Sequence, residues 1–263
     1  MKKIKVLICV TVILSLVFMT ACSPSQTSGN MSDSLSKKKL SWGLKKNPGK
    51  APDINPGEIE ILDAYDGVYL GDTDTKSLYL TFDEGYENGY TAKILDILKK
   101  HSVPACFFVT GPYLKSETEL ICRMVDEGHD VGNHTVNHPS MPSLSEEELE
   151  NELIELDRTF YETTGKSMKF LRPPMGEHSE RSMYLSKMLG YKTVFWSIAY
   201  EDWNVDKQPA REYVYNSVMD NLHNGAIILM HAVSSTNAET LESIIIEAKK
   251  QGYTFKSLTT LEI

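Results

Sequence analysis

The chain has 263 residues, 41% of them hydrophobic and 24% charged, enough apolar material for one barrel-sized domain or two small ones. Its formal net charge of −9 lacks the clustered basic residues that phosphate backbones demand, so nucleic acid is not expected as a partner. Of four cysteines, Cys9 and Cys22 lie in or at an N-terminal apolar stretch and Cys106 and Cys122 lie further on.

Lys2-Lys3-Ile4-Lys5 precedes the apolar run Val6 to Met19. A positive n-region followed by a run too short to span a bilayer comfortably is the pattern of a secretory signal. The run closes on Met19-Thr20-Ala21-Cys22, similar to a bacterial lipobox with methionine where leucine is usual. The reading is a signal peptide over residues 1–21 and lipidation at Cys22, against a cleaved soluble form or an uncleaved anchor. That places the protein outside the cytoplasmic membrane, at the membrane's outer face or in the cell wall, held by its N-terminal lipid. Residues 1–21 carry three lysines and no acid, so the remainder is more acidic still. Residues 22–39 are rich in Ser, Thr, Gln, Asn and Lys and read as a flexible tether. Residues 40–76, with Pro48, Pro52 and Pro56, read as an irregular N-terminal arm on the outside of the domain formed by residues 77–263.

From residue 77 onward strands and helices alternate. Strands are predicted over 77–83, 105–110, 129–133, 169–172, 191–198, 225–230 and 253–258. Helices are predicted over 88–101, 116–128, 145–164, 179–189, 209–223 and 237–251. Ser145-Glu146-Glu147-Glu148 has the form of a capping box. Gly128, Gly165, Gly190 and Gly252 each follow a helical pattern where a left-handed residue closes the helix. Short apolar runs between helices are buried parallel strands, so the fold class is α/β. About seven parallel strands, one short of eight, imply a distorted or incomplete (β/α) barrel over 77–263. Cys106 opens one strand and Cys122 sits in a helix; the reading favours two buried thiols over a disulfide in an exported domain.

The strands end on polar residues, and a barrel gathers its strands' C-terminal ends around one site. His134-Thr135-Val136-Asn137-His138 puts two imidazoles one helical turn apart, able to bind one cation. Asp83-Glu84 offers two carboxylates, one for the metal and one to take a proton from the attacking water. Arg172, opening Arg172-Pro173-Pro174-Met175-Gly176, can keep Asp83 ionised and aimed. The backbone N–H of Met175 can stabilise an oxyanion. His231 ends an apolar strand, where a satisfied core histidine is the commoner outcome. Here the chemistry still lacks an acid for its leaving group, and Asp202 can hold one ring nitrogen of His231. Trp203 and Leu229 would wall a groove for a sugar ring. His101, His129, His178 and His223 read as surface or helix-end residues, with His178 a candidate for the cleft lining.

In this order the residues resemble the polysaccharide deacetylases of carbohydrate esterase family 4. The motifs are Thr81-Phe82-Asp83-Glu84-Gly85, His134 to His138, Arg172 to Gly176, Asp202-Trp203 and Leu229-Met230-His231. The resemblance covers about residues 75–260. It implies a metal-dependent hydrolase in which Asp83 is the base and His134, His138 and Glu84 bind a divalent metal. Zinc suits the histidines, with cobalt or manganese as alternatives. Arg172 then orients the base, Met175 lends its amide, and Asp202 tunes the acid His231. Two positions depart from the family pattern: Glu84 stands for the metal-binding Asp, and Ala199 for the first Asp of D-x-x-D-W. Residues 81–91 (TFDEGYENGYT), Ser41-Trp42-Gly43 and residues 252–257 are similar to the muramic-acid de-N-acetylases of spore formers. Their substrate would be N-acetylmuramic acid in peptide-free peptidoglycan strands, and their product the precursor of spore-cortex muramic δ-lactam. The alternative is an N-acetylglucosamine deacetylase on peptidoglycan or another amino-sugar polymer. A non-catalytic carbohydrate-binding lipoprotein would be expected to have lost the base or the acid, and Asp83 and His231 are both present.

Overall fold

The computed structural model describes residues 31–261; the segment read as a signal peptide, residues 1–21, and Cys22 lie outside these residues. Eight strands form one sheet in which every ladder is parallel: β1 (Gly67–Val68), β2 (Ser77–Glu84), β3 (Ala105–Val109), β4 (Asp130–Asn133), β5 (Phe170–Leu171), β6 (Lys192–Val194), β7 (Ala226–His231) and β8 (Thr254–Phe255). The order is β7-β2-β3-β4-β5-β6-β1, with β8 on the β3 edge of β2 where Leu78 pairs with Phe255. Bridges from Leu70 to Ala226 and from Ile198 to Ile228 close the ring. The sheet is therefore a distorted, nearly closed barrel, as the alternation implied. Its eighth strand comes from a segment read as lying outside it.

The two faces of β2 separate two cores, as a period of two requires. Leu78, Leu80 and Phe82 pack with the surrounding helices. Tyr79 meets Cys106, Phe108, Phe170, Val194 and Ile227 inside the ring. All eight β2 residues are buried, which is why the segment reads as a continuous apolar run rather than an alternating one. Register then delivers the polar ends together: His231 is paired with Asp83, and Asp83 with Phe108.

The helices follow their sequence signals. Ser145 and Glu148 form the reciprocal cap of the helix Glu146–Thr164, which ends on left-handed Gly165 at φ 70°. The helix expected over 116–128 is Thr118–Asp126, and a further short helix, Gly111–Ser116, precedes it with a break at Glu117. Cys106 is a buried thiol, whereas Cys122 is only half-buried, and neither is bridged.

The N-terminal segments differ most from expectation. The helix Met31–Ser34 and residues up to Lys39 run against the body rather than free of it. Ser32 is buried and its hydroxyl donates to Glu146, and Lys39 pairs with Glu177 at 2.8 Å. The arm is ordered too: a hairpin (Lys45–Asn47 with Lys50–Asp53), a helix (Pro56–Ala64) capped by Asn55, and then β1. Leu40–Ser41 pairs antiparallel with Glu177–His178, bringing Trp42 into an apolar cluster with Leu62, Met183 and Phe195.

Candidate active site

At the C-terminal ends of the strands a cavity of about 720 Å³ opens, a size suited to a small organic group. Asp83, His134, His138, Met175, Trp203, Leu229 and His231 line it, joined by Tyr86, Thr110, Pro112, Val136, Trp196 and Val233. Groups separated by about 150 positions in sequence thus share one space.

Asp83, 7% exposed, is the last residue but one of β2, with its side chain directed inward. Arg172 Nη1 donates to its Oδ1 at 2.8 Å, and His134 Nε2 stands 3.5 Å from its Oδ2. Burial alone would raise the Asp83 pKa, but the charge and hydrogen bond of Arg172, with His134 and His231 assisting, outweigh it and hold the carboxyl below its ordinary range. Arg172 is fully buried, and its other donors are satisfied by the carbonyl oxygens of Val194 (3.1 Å) and Phe195 (3.3 Å). Its guanidinium lies 4.2 Å from the Phe108 ring centroid. A guanidinium fixed by two backbone oxygens, an aromatic face and a carboxylate has no freedom to turn away.

His134 and His138 meet with ring centroids 4.8 Å apart and planes at 75°. The segment joining them is no helical turn: Thr135 (φ 66°) and His138 (φ 58°) are left-handed. The turn is held by the Thr135 amide donating to Asn133 Oδ1 (2.8 Å) and the His138 amide to Thr135 Oγ1 (3.0 Å). Such conformations are worth about 1–3 kcal/mol of local strain each and gather at functional sites. Met175, at φ 58°, is another. His134 Nδ1 is 2.8 Å from the Arg172 carbonyl oxygen, so it carries the proton and leaves Nε2 as an acceptor toward the cavity. Burial, with His138 and Arg172 assisting, lowers the His134 pKa to about 4, and burial lowers that of His138 also. Both imidazoles are neutral near pH 7, the form that ligates metal.

Glu84 does not line the cavity. Next to Asp83 on the strand, it turns to the opposite face and is fully buried, with neither carboxylate oxygen given a protein partner. Burial, then Glu87 and Asp83, drives its pKa well up. Among the described residues no group of three or more His, Cys, Asp or Glu side chains stands in coordination geometry. The donor set nonetheless fits a divalent cation. It has two neutral imidazoles and an ionised carboxylate 3.5 Å from one of them.

Opposite Asp83 stands His231. Its Nδ1 is 2.7 Å from Asp202 Oδ1 and its backbone N–H donates to Asp202 Oδ2 at 2.9 Å. Asp202 is 1% exposed and takes a third bond from Asn237 Nδ2 at 2.6 Å. Burial works to lower the His231 pKa, and the bond and charge of Asp202 raise it above the ordinary imidazole value. Trp203 packs by His231 at 5.8 Å and is 54% exposed, so it forms part of the cavity's rim. A carboxylate able to accept a proton thus faces an imidazolium able to give one. That pairing serves hydrolysis of an amide.

Sequence reasoning missed Asn237, which Tyr200 orients through a 2.9 Å bond to its Oδ1; nothing local marked it beyond its place at the start of the helix Ser235–Lys250. The reading of the remaining histidines is corrected. His129, His178 and His223 are buried, and only His101 is partly open. His178 is sealed behind the cavity, its Nε2 2.7 Å from Glu58 Oε2.

The sequence pattern of the polysaccharide deacetylases matches residues 70–194. The peptidoglycan-N-acetylmuramic acid deacetylase PdaA of Bacillus subtilis (strain 168) is 46% identical over 224 residues, 84% of this chain and 85% of that protein. A peptidoglycan-N-acetylglucosamine deacetylase of Bacillus cereus is 34% identical over 193 residues, 71% of this chain and 88% of its own. The solved structure of Bacillus subtilis PdaA, described as a family 4 carbohydrate esterase, superposes with a TM-score of 0.84 at 44% identity, covering 86% of this chain and 98% of the other.

Proposed function

The chain belongs to the polysaccharide deacetylase family, carbohydrate esterase family 4, and from that premise we propose that it removes the acetyl group from N-acetylmuramic acid in peptidoglycan. It is a hydrolase cleaving a linear amide C–N bond. The observation that carries the mechanism is the opposition of Asp83, held ionised by Arg172, to His231, held protonated by Asp202.

Asp83 takes a proton from water as the water oxygen bonds to the acetyl carbon. The Met175 amide, on the rim, lends a donor to the developing oxyanion. His231 delivers its proton to the sugar nitrogen, the C–N bond breaks, and acetate and a free amine leave. Trp203 and Leu229 wall the sugar ring. His134 and His138 would hold the divalent metal; Glu84, expected as a further ligand, turns to the opposite face of the strand and does not line their cavity. Bound there, a divalent metal would supply Lewis-acid chemistry, polarising the acetyl carbonyl and acidifying the attacking water. Imidazole ligands suit zinc, with cobalt or manganese as alternatives.

Muramic acid is favoured over glucosamine by the higher identity to PdaA, 46% against 34% for the Bacillus cereus N-acetylglucosamine deacetylase. The freed amine lies beside the lactyl carboxylate of the same sugar, the two groups that condense to muramic δ-lactam of spore cortex. For a cell-wall polymer the N-terminal reading is apt: signal peptide over residues 1–21, a lipid anchor at Cys22, and action at the membrane's outer face. No helix among the described residues is long and apolar enough to cross a membrane.

The test is mass spectrometry of glycan strands, with and without their peptides, after incubation with the metal-loaded protein. Deacetylated muramic acid in peptide-free strands supports the proposal. Deacetylated glucosamine alone would transfer it to the other amino sugar.

A further inference from the structure

The arm before the barrel passes directly behind the catalytic loop. Trp42 stacks on Phe195 with centroids 4.4 Å apart and planes at 22°, and its Nε1 donates to the Trp196 carbonyl oxygen at 3.0 Å. Its backbone N–H donates to the Gly176 carbonyl oxygen, also at 3.0 Å. That oxygen is approached from the other side by His178 Nδ1 at 3.2 Å, whose ring is anchored through Nε2 to Glu58 of the arm. Phe195 in turn gives Arg172 one of its two carbonyl acceptors, and the Trp196 ring lines the cavity. The contact is close: a Cβ on Gly176 would fall 2.9 Å from Trp42 Cβ and 2.9 Å from Trp196 Cη2.

We propose that Trp42 is a positioning residue of the active site: the arm clamps residues 194–197 and the turn at Met175–Gly176, and so fixes the Arg172 guanidinium that aims Asp83. This rests on the deacetylase reading of the cavity. Two further observations support it. Met175 occupies a left-handed conformation, at φ 58°, that a residue with a side chain keeps only where surroundings over-determine it. The similarity to the muramic acid deacetylase covers 84% of this chain, more than residues 77–263 can supply, so it runs into the arm.

The experiment compares the wild-type chain with Trp42→Ala and Trp42→Phe by amide hydrogen exchange, metal content and steady-state acetate release. Phenylalanine keeps the stack on Phe195 and loses only the bond to the Trp196 carbonyl. In Trp42→Ala the amides of Gly176, Phe195 and Ser197 should exchange faster, while those of residues 131–134 and the bound metal stay as in the wild type. Its kcat should fall about 100-fold, the loss expected when catalytic groups shift by about 1 Å, with KM little changed. Trp42→Phe should recover most of that loss. Unchanged exchange at 174–197 with unchanged kcat would overturn the clamp, as would loosening spread evenly over the whole barrel. If the wild type itself releases no acetate from any glycan, the deacetylase reading falls, and the exchange data still decide whether the arm holds the loop.

Discussion

Replacing Asp202 with asparagine keeps the shape of the acid's support and removes its charge. Asp202 Oδ1 sits 2.7 Å from His231 Nδ1, while Oδ2 takes bonds from the His231 amide (2.9 Å) and from Asn237 (2.6 Å). With two donors facing Oδ2, the asparagine oxygen must occupy that place, which turns its NH₂ toward Nδ1. His231 then meets a donor where it had an acceptor, and its protonated form loses both a hydrogen bond and a counter-charge. An opposite charge at such range moves a pKa by about 1–3 pH units, or about 1.4–4 kcal/mol of preference for the imidazolium. The wild-type acid is present below the raised His231 pKa and is lost as pH rises through it. In Asp202→Asn that alkaline limb should move down by about 1–3 pH units. Near pH 7 kcat should fall by about 10²–10⁴-fold, the usual worth of a placed general acid. The assay is acetate release from peptide-free glycan strands across pH 5 to 10. An alkaline limb that stays in place would refute the assignment of His231, through Asp202, as the acid.

Asp83→Asn should abolish turnover while leaving bound metal measurable by elemental analysis; a normal rate would reject Asp83 as the base. His134→Ala and His138→Ala should each strip the metal, detected as lost stoichiometry and as loss of the rise in thermal midpoint that the metal confers. Because burial lowers the pKa of both His134, to about 4, and His138, metal retention in the wild type should persist as pH falls below the ordinary imidazole range, and loss of the metal as pH passes through that range would contradict the assignment. Gly176→Ala places a Cβ 2.9 Å from two neighbours at φ 67°, and should lose more than about 1 kcal/mol of stability by calorimetry, with activity falling alongside.

Much of the site could be read from the chain because parallel strands write their C-terminal ends as apolar runs that stop on a polar residue. Thr81-Phe82-Asp83 and Leu229-Met230-His231 do this in adjacent strands, and register then sets His231 against Asp83. Four features stayed hidden for distinct reasons. The strand Gly67–Val68 is two residues long, too short for periodicity to show, and it forms because Lys192–Val194 offers a free edge. His178 reads as a surface or cleft-lining residue, yet Glu58, 120 positions away, supplies the partner that makes its burial tolerable. Glu84 follows Asp83 directly, so composition treats the two as one acidic pair, whereas the pleat sends them to opposite faces. The turn at 134–138 is likewise invisible to spacing rules: an i, i+4 pair implies a helix, and two left-handed residues bring the rings together instead.

Anomalous diffraction from crystals of the protein equilibrated with zinc tests the shared metal site most directly. One strong peak is predicted about 2.0–2.1 Å from an imidazole nitrogen of both His134 and His138, inside the cavity between Asp83 and His231. A metal bound elsewhere, or by one of those histidines without the other, would contradict it.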